Sequence, residues 1–197
     1  MGFMSVLSFA HKLITERLAP GDRAIDATVG TGADTLFLAR TIGPRGEVYG
    51  FDIQAAAITL AEERLDAAVT SGETLPPVTL LLESHAAMAQ SVPLSWHGTV
   101  GAIMFNLGYL PSGDADKSII TRTDSSIAAL EASLQLLRPG GVVTAVLYPG
   151  HEGGDQEAAA VEAWASKVST QVAQSIIYRQ LQRSAAPYVI ALEKKRS

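Results

Sequence analysis

The stretch AIDATVGTGADT, residues 24–35, joins a short apolar run to a helical pattern through a loop of small residues. Gly30 and Gly32 carry no Cβ, so a ligand can approach the backbone of this loop closely. In sheets of parallel strands, ligands bind outside the carboxyl ends of the strands, where such strand-to-helix turns lie. The stretch therefore predicts an α/β fold with a ligand-binding loop after its first strand.

A carboxylate marks the end of the second predicted strand. Asp52 follows the apolar run 47–51 and comes twenty positions after Gly32, where it can accept hydrogen bonds from both hydroxyls of a ribose. Thr35 stands at the third glycine position of the dinucleotide fingerprint, and the loop contains no P-loop lysine, so a pyrophosphate ligand is disfavoured. Asp34 adds a negative charge that suits a cationic ligand. The alternative is a tight turn without a ligand.

Strand and helix patterns alternate along the rest of the chain. This alternation predicts a mostly parallel sheet with helices on both faces, closed by an antiparallel C-terminal hairpin. The predicted class is α/β, a Rossmann-like fold with a seven-stranded sheet. Residues 1–197 are expected to form a single domain, on which the N-terminal helix within residues 1–20 packs. Strands are predicted at residues 23–27, 47–51, 78–82, 100–105, 142–148, 175–181 and 188–193, and further helices at residues 34–41, 54–69, 124–137 and 156–168.

Composition excludes several kinds of site. The 197 residues carry a net charge of −5 and include no cysteine, which excludes disulfides, thiolate zinc sites, iron–sulfur clusters and cysteine nucleophiles. No metal site is predicted. The N-terminal segment lacks the basic start of a signal peptide, and its apolar stretch is too short to span a membrane. A cytoplasmic protein is therefore expected.

The loop after the fourth predicted strand, residues 105–114, carries side chains that can serve an amine nucleophile. Such a nucleophile must arrive neutral, with its lone pair aimed at the reacting carbon and water excluded. Asn106 and Tyr109 can supply the acceptor and the aromatic wall that this requires. An asparagine that merely caps a turn is the alternative.

Histidines follow the third and the fifth predicted strands. His151 can accept a proton or orient a substrate, unless its loop only enters a helix with Asp155 as the N-cap. His85, after Ser84, is either a ligand contact or an ordinary packing residue. Both readings stay open from the sequence.

Motifs at five strand ends together resemble one family. D-A-T-x-G-x-G-x-D-T resembles the first motif of class I S-adenosylmethionine (AdoMet) methyltransferases, with Thr28 where a glycine is usual. N-L-G-Y resembles the N-P-P-Y signature of amino-group methyltransferases, with Leu107-Gly108 in place of the prolines. With G-x-D-I-Q, S-H and Y-P-G-H-x-G-G, the set is similar to the YtqB/MnmM-like family of small bacterial methyltransferases over essentially the whole chain.

The resemblance implies an AdoMet-dependent N-methyltransferase. Its substrate would be the 5-aminomethyl group of the wobble 2-thiouridine in tRNA, and its product 5-methylaminomethyl-2-thiouridine. An rRNA or small-molecule amine methyltransferase of the same fold is the alternative, favoured by the acidic charge. A non-catalytic module that senses AdoMet is a third hypothesis.

The resemblance also implies which residues form the site. The catalytic residues would be Asn106, Tyr109 and His151. The cofactor-binding residues would be Asp26, Thr28, Gly30, Gly32, Asp34, Thr35, Asp52, Ile53, Gln54, Ser84, His85 and Asn106. The substrate-binding residues would be Tyr109, Leu110, Pro111, Gly113, Asp114, Lys117, Tyr148 and Gly150.

RNA binding usually relies on a positively charged surface. Because the chain has a net charge of −5, its positive charges must cluster locally to form such a surface. Three groups of cations can do so: Lys117 with Arg122, Arg179 with Arg183 in the first strand of the hairpin, and the tail 194–196. The tail is interpreted as solvated. The expected partner is the anticodon loop of tRNA, which aromatic side chains can also read by stacking. A homodimer is implied by the resemblance, and no membrane contact is expected.

Overall fold

The structure, a computed structural model, describes residues 2–108, 123–150 and 153–196. The strands in these residues are β1 (Arg23–Asp26), β2 (Glu47–Asp52), β3 (Val78–Leu82), β4 (Val100–Leu107), β5 (Leu137–Leu147), β6 (Ala173–Tyr178) and β7 (Tyr188–Lys194). They form one sheet in the order β3-β2-β1-β4-β5-β7-β6. β1 to β5 pair in parallel, whereas β7 runs antiparallel to both β5 and β6. The predicted Rossmann-like sheet with an antiparallel hairpin is confirmed.

Helices cover both faces of the sheet. They are α1 (Val6–Thr15), α2 (Ala33–Ile42), α3 (Ala55–Thr70), α4 (Met88–Ser91), α5 (Thr123–Leu136) and α6 (Gly154–Lys167), with 3₁₀ turns at His85–Ala87 and Leu94–Trp96. The two turns and α4 lie where the sequence shows no clear periodicity. Among the described residues, no helix combines the length and the apolar character that crossing a bilayer requires.

The strands with continuous apolar sequence lie at the centre of the sheet. β4 and β5 are buried along nearly all of their length, and β1 from its second residue onward. One face packs Trp96, Phe105 and Leu130 into the main core, and the other packs Ile14 and Leu38. Parallel strands buried on both faces leave only their ends exposed. The carboxyl ends of β1, β2 and β4 therefore become the natural place for a ligand.

The N-terminal helix α1 packs across β5 and β7. Its N-cap is Ser5, whose hydroxyl accepts a hydrogen bond from the backbone N–H of Ser8 at 3.1 Å. Ala10 is fully buried and packs with Val146 and Val189. This docking brings the polar side of the helix toward the loop that follows β1.

The fifth strand begins earlier than the sequence predicts. β5 starts at Leu137, directly after α5, so the Pro139-Gly140-Gly141 turn lies within the strand instead of preceding it. The register with β4 shifts near the start of that strand, and Gly140 has a φ of +76°. An irregularity of this kind accommodates extra residues while the ladder continues.

Other element ends also differ from the sequence-based expectation. The sequence pattern indicates an N-terminal helix that ends near Pro20-Gly21, whereas α1 ends at Thr15. β6 ends at Tyr178, so Arg179 and Arg183 lie in the loop to β7 and not in the strand. The N-cap of α6 is Gly153, in the left-handed conformation, so Asp155 is not the N-cap that the alternative interpretation of this loop requires.

Candidate cofactor and substrate site

The glycine loop between β1 and α2 is held against α3. Gly30 and Gly32 have φ values of +52° and +74°, a region that favours glycine. A Cβ added at Gly32 would lie 2.7 Å from the Cα of Ala61 on α3, closer than real side chains come. Gly32 is therefore required both by its backbone conformation and by the close approach of the two elements.

Replacing Gly32 with alanine is expected to destabilise the fold by about 2–4 kcal/mol, since a strained φ and an overpacked contact add together. Urea unfolding measures the loss. Gly72→Ala is the matched control, because Gly72 has a φ of +96° and open space around its Cα. The account requires a clearly larger loss at Gly32, and equal losses would contradict it.

The carboxylate of Asp52 is oriented by two backbone groups. The N–H of Gly30 donates to Oδ2 and the N–H of Gln54 donates to Oδ1, both at 2.9 Å. Each oxygen can accept a second hydrogen bond. The geometry fixes an acidic group at the end of β2 with acceptor capacity left for a ligand that carries neighbouring hydroxyls.

Asp26 supports the loop from beneath. It is 1% exposed, and its oxygens accept hydrogen bonds from the Thr35 hydroxyl at 2.6 Å and from the Thr28 N–H at 3.1 Å. Burial, together with the Asp34 carboxylate, raises the pKa of Asp26 to about 7. Thr35 is fully buried. The direct ligand contacts predicted for these two residues stay predictions.

The raised pKa of Asp26 makes stability depend on pH. Its ordinary value is 3.8, so between that pH and about 7 the folded protein keeps a proton that the unfolded chain has released. Its contribution to stability is therefore fully present below pH 3.8 and is lost as the pH rises through about 7. Asp26→Asn stays neutral throughout. Urea unfolding should show the stability of the original protein falling relative to Asp26→Asn as the pH rises from 5 to 8, and a constant difference would contradict this assignment.

Asn106 is held in one orientation by neighbours on three elements. Its Nδ2 donates to Oδ2 of Asp34 at 3.0 Å, and its Oδ1 accepts from the Tyr148 hydroxyl at 2.8 Å. Its backbone N–H donates to the Thr28 hydroxyl at 2.6 Å. A carboxylate only accepts, so the amide cannot flip. Burial and the Asp34 charge raise the pKa of Tyr148, which keeps its hydroxyl protonated as the donor.

His11 joins this network, although the sequence did not single it out. Its Nε2 lies 2.7 Å from Oδ1 of Asp34, and its ring stacks on Phe37 at a centroid distance of 3.9 Å. Asp34 is thereby engaged on both oxygens, by α1 on one side and by Asn106 on the other. The contact between His11 and Asp34 forms only because α1 docks on the sheet, so no local sequence pattern could predict it.

His85 is a buried histidine with one free nitrogen. Its Nδ1 lies 3.1 Å from the carbonyl oxygen of Ala27 and carries the hydrogen, and its Nε2 has no partner among the described residues. Burial lowers the pKa of His85, so the ring is neutral and Nε2 is an acceptor. Ser84 caps the turn that positions it, and its hydroxyl accepts from the Ala86 N–H at 3.3 Å. A buried acceptor left open beside the loop suits an N–H of a ligand.

The loop after β5 is closed by Asp155. The carboxylate, in the first turn of α6, accepts a hydrogen bond from the N–H of Gly150 at 3.0 Å. Of the two residues here that are predicted to contact substrate, Tyr148 touches Asn106 through its hydroxyl, and Gly150 follows it by two positions. The other predicted substrate and catalytic residues lie outside the described residues; they are Tyr109, Leu110, Pro111, Gly113, Asp114, Lys117 and His151.

The sequence matches known methyltransferases over most of its length. The family model described as "Putative rRNA methylase" matches residues 48–194, and a general methyltransferase-domain model matches residues 18–71. A chloroplastic protein of Arabidopsis thaliana, "tRNA (mnm(5)s(2)U34)-methyltransferase", is 38% identical over 191 residues, which cover 94% of this chain and 68% of that protein.

Solved structures share the whole fold. A protein of Clostridium thermocellum described as a "putative rRNA-methylase" superposes with a TM-score of 0.89 at 34% identity, and the match covers 98% of this chain and 100% of that chain. A Streptococcus mutans protein described as "a putative methyltransferase", solved in complex with SAH, superposes with a TM-score of 0.84 at 28% identity, and the match covers 98% of this chain and 99% of that chain. Use of AdoMet as the methyl donor follows from these matches.

Proposed function

Since the chain belongs to the "Putative rRNA methylase" family and is an AdoMet-dependent methyltransferase, we propose that it methylates the 5-aminomethyl nitrogen of wobble 2-thiouridine in tRNA. The product is 5-methylaminomethyl-2-thiouridine. The substrate named for the Arabidopsis thaliana relative supports this choice. The observation that carries it in this chain is the fixed carboxamide of Asn106, which offers an acceptor for the N–H of an amine.

The residues at the strand ends fit AdoMet chemically. The Asp52 carboxylate, held by two N–H groups, keeps acceptor capacity for the ribose hydroxyls. The orphaned Nε2 of His85 suits the amino group of adenine. Ile53, 56% exposed, offers an apolar surface for the base. Gly30, at a φ of +52°, presents loop backbone without a Cβ, which a ligand can approach closely.

In this proposal Asn106 orients the amine nucleophile. Bound AdoMet supplies an electrophilic methyl group on a positively charged sulfur. Oδ1 of Asn106, already fixed by Tyr148, accepts an N–H of the neutral amine and turns its lone pair away from the amide. Alignment of this kind lowers the barrier without acid–base chemistry at Asn106 itself. The methylated nitrogen must then lose one proton, for which His151 stays the predicted acceptor.

Nucleoside mass spectrometry of tRNA from cells that lack this protein tests the proposal. We expect 5-aminomethyl-2-thiouridine to accumulate and its methylated form to disappear, with restoration by the original gene but not by Asn106→Ala. An unchanged tRNA profile together with a missing methyl group in rRNA, or in a metabolite amine, would establish the alternative substrate instead. The net charge of −5 is the observation that keeps the metabolite alternative open.

We further propose a cytoplasmic enzyme that acts on the anticodon loop as a homodimer. The Arabidopsis thaliana relative is chloroplastic, so its compartment is not carried over to this chain. Light scattering of the purified protein measures the oligomeric state directly, and a mass of one chain at working concentration would contradict the homodimer.

A further inference from the structure

We propose that the loop between β6 and β7, residues 179–187, is an RNA-binding surface that contacts backbone phosphates beside the modified nucleoside. This inference rests on the proposed function. The sequence contains three groups of cations that could bind phosphate. It does not show which of them lies near the candidate site, because their positions depend on the topology of the sheet. Two of the three groups lie in the described residues, and the structure puts them at opposite edges.

The loop lies at the same edge of the sheet as the candidate site. Asn106 on β4 is in register with Val146 on β5, which is in register with Val189 on β7. Neighbouring strands are about 4.8 Å apart, so the backbone of Val189 lies about 10 Å from that of Asn106. The loop ends one residue before β7 begins at Tyr188. A nucleotide next to the one at Asn106 can span this distance.

The loop also touches the segment that carries Tyr148. A Cβ added at Gly150 would lie 3.2 Å from the Cβ of Ala185, so the two loops are packed together. The start of the loop is anchored by Tyr178, whose hydroxyl donates to the Met4 carbonyl at 2.9 Å and whose ring stacks on Phe9. These contacts form one continuous surface from the site to the loop.

The charge of the loop suits phosphate. Its sequence, RQLQRSAAP, contains two arginines and no acid. Arg179 is engaged by Glu162 at 3.5 Å and lies over the ring of Tyr188. Arg183 is exposed and makes no ion pair with any described residue, and its carbonyl accepts the Ala186 N–H in a turn. An exposed guanidinium on an ordered turn is a ready partner for a phosphate oxygen.

The C-terminal cations lie at the other edge. β7 runs antiparallel to β5, and Glu193 is in register with Val142, five residues before β5 ends at Leu147. Arg196 follows Val189 by seven residues, about 23 Å along an extended chain. Lys194 donates to the Leu137 carbonyl at 2.7 Å, which ties this end to the side of the sheet away from the site. The tail is therefore poorly placed for a nucleotide bound at Asn106.

Steady-state kinetics with tRNA that bears 5-aminomethyl-2-thiouridine tests the surface. Arg183→Ala is compared with Arg196→Ala, which removes the same charge from an exposed position at the far edge. We expect Arg183→Ala to raise the KM for tRNA about 5- to 10-fold and to lower the slope of log affinity against log salt by about one. The kcat and the Kd for AdoMet should stay unchanged, and Arg196→Ala should match the original protein.

The outcomes separate this inference from the proposed function. If the original protein methylates the tRNA but Arg183→Ala shows the same KM and salt slope, the surface is overturned while the function stands. The inference also fails if Arg196→Ala raises the KM as much as Arg183→Ala, because net charge alone then explains binding. If the original protein transfers no methyl group to this tRNA, the proposed function itself has failed.

Discussion

Asp52→Ala is expected to weaken AdoMet binding by about 100-fold or more. Hydrogen bonds to a charged group contribute about 1.5–3 kcal/mol each, and in the proposed site this carboxylate accepts one from each of the two ribose hydroxyls. Their joint loss of about 3 kcal/mol corresponds to about two powers of ten in Kd. The variant also leaves the N–H groups of Gly30 and Gln54 without their acceptor, which loosens the glycine loop and adds to the loss.

Calorimetric titration with AdoMet measures this effect. Asp66→Ala is the matched control, because Asp66 is an exposed acid on α3 and lies away from the strand ends. Circular dichroism verifies that both variants fold. An Asp52→Ala protein that is folded and binds AdoMet as tightly as Asp66→Ala would show that the ribose is not held at the end of β2.

Asn106→Ala is expected to lower kcat for methyl transfer by about 100- to 1,000-fold, while the Kd for AdoMet changes only a few-fold. The size follows from losing the alignment of a nucleophile, which is among the larger single contributions to catalysis. Asn106 is also the only asparagine in the chain. Single-turnover kinetics with saturating AdoMet and tRNA isolates the transfer step from binding.

Tyr148→Phe is the companion variant. It removes the hydroxyl that donates to Oδ1 of Asn106 but leaves the bond from Nδ2 to Asp34 intact. Because the amide stays half restrained, we expect a loss of only about 3- to 10-fold, in keeping with one hydrogen bond. A loss in Tyr148→Phe as large as that in Asn106→Ala would shift the central role to the phenol, and full activity in Asn106→Ala would remove the asparagine from the mechanism.

The positions of the glycine loop and of Asp52 at one edge of the sheet could be predicted from the sequence because they depend on local features. The glycine loop directly follows β1 and Asp52 ends β2, and parallel strands bring their carboxyl ends to one edge whatever the rest of the chain does. The existence of the buried strands β4 and β5 could also be predicted, since strands covered on both faces are continuously apolar. The antiparallel hairpin likewise follows from two adjacent strand patterns.

Other features needed the tertiary structure. His11 reaches Asp34 only because α1 docks across β5 and β7, a contact between residues far apart in sequence. The start of β5 at Leu137 depends on a register shift opposite β4. The sequence does not reveal this shift, because Pro139-Gly140-Gly141 has the composition of a turn. Arg183 and Arg196 look alike in sequence, and only the antiparallel course of β7 separates them.

The most direct test incubates the purified protein with AdoMet and tRNA that carries 5-aminomethyl-2-thiouridine at the wobble position, followed by nucleoside mass spectrometry. The account predicts that this nucleoside gains the mass of one CH₂ group and becomes 5-methylaminomethyl-2-thiouridine, and that tRNA without the aminomethyl group is not methylated. A wobble nucleoside of unchanged mass, in a preparation that calorimetry shows to bind AdoMet, would contradict it.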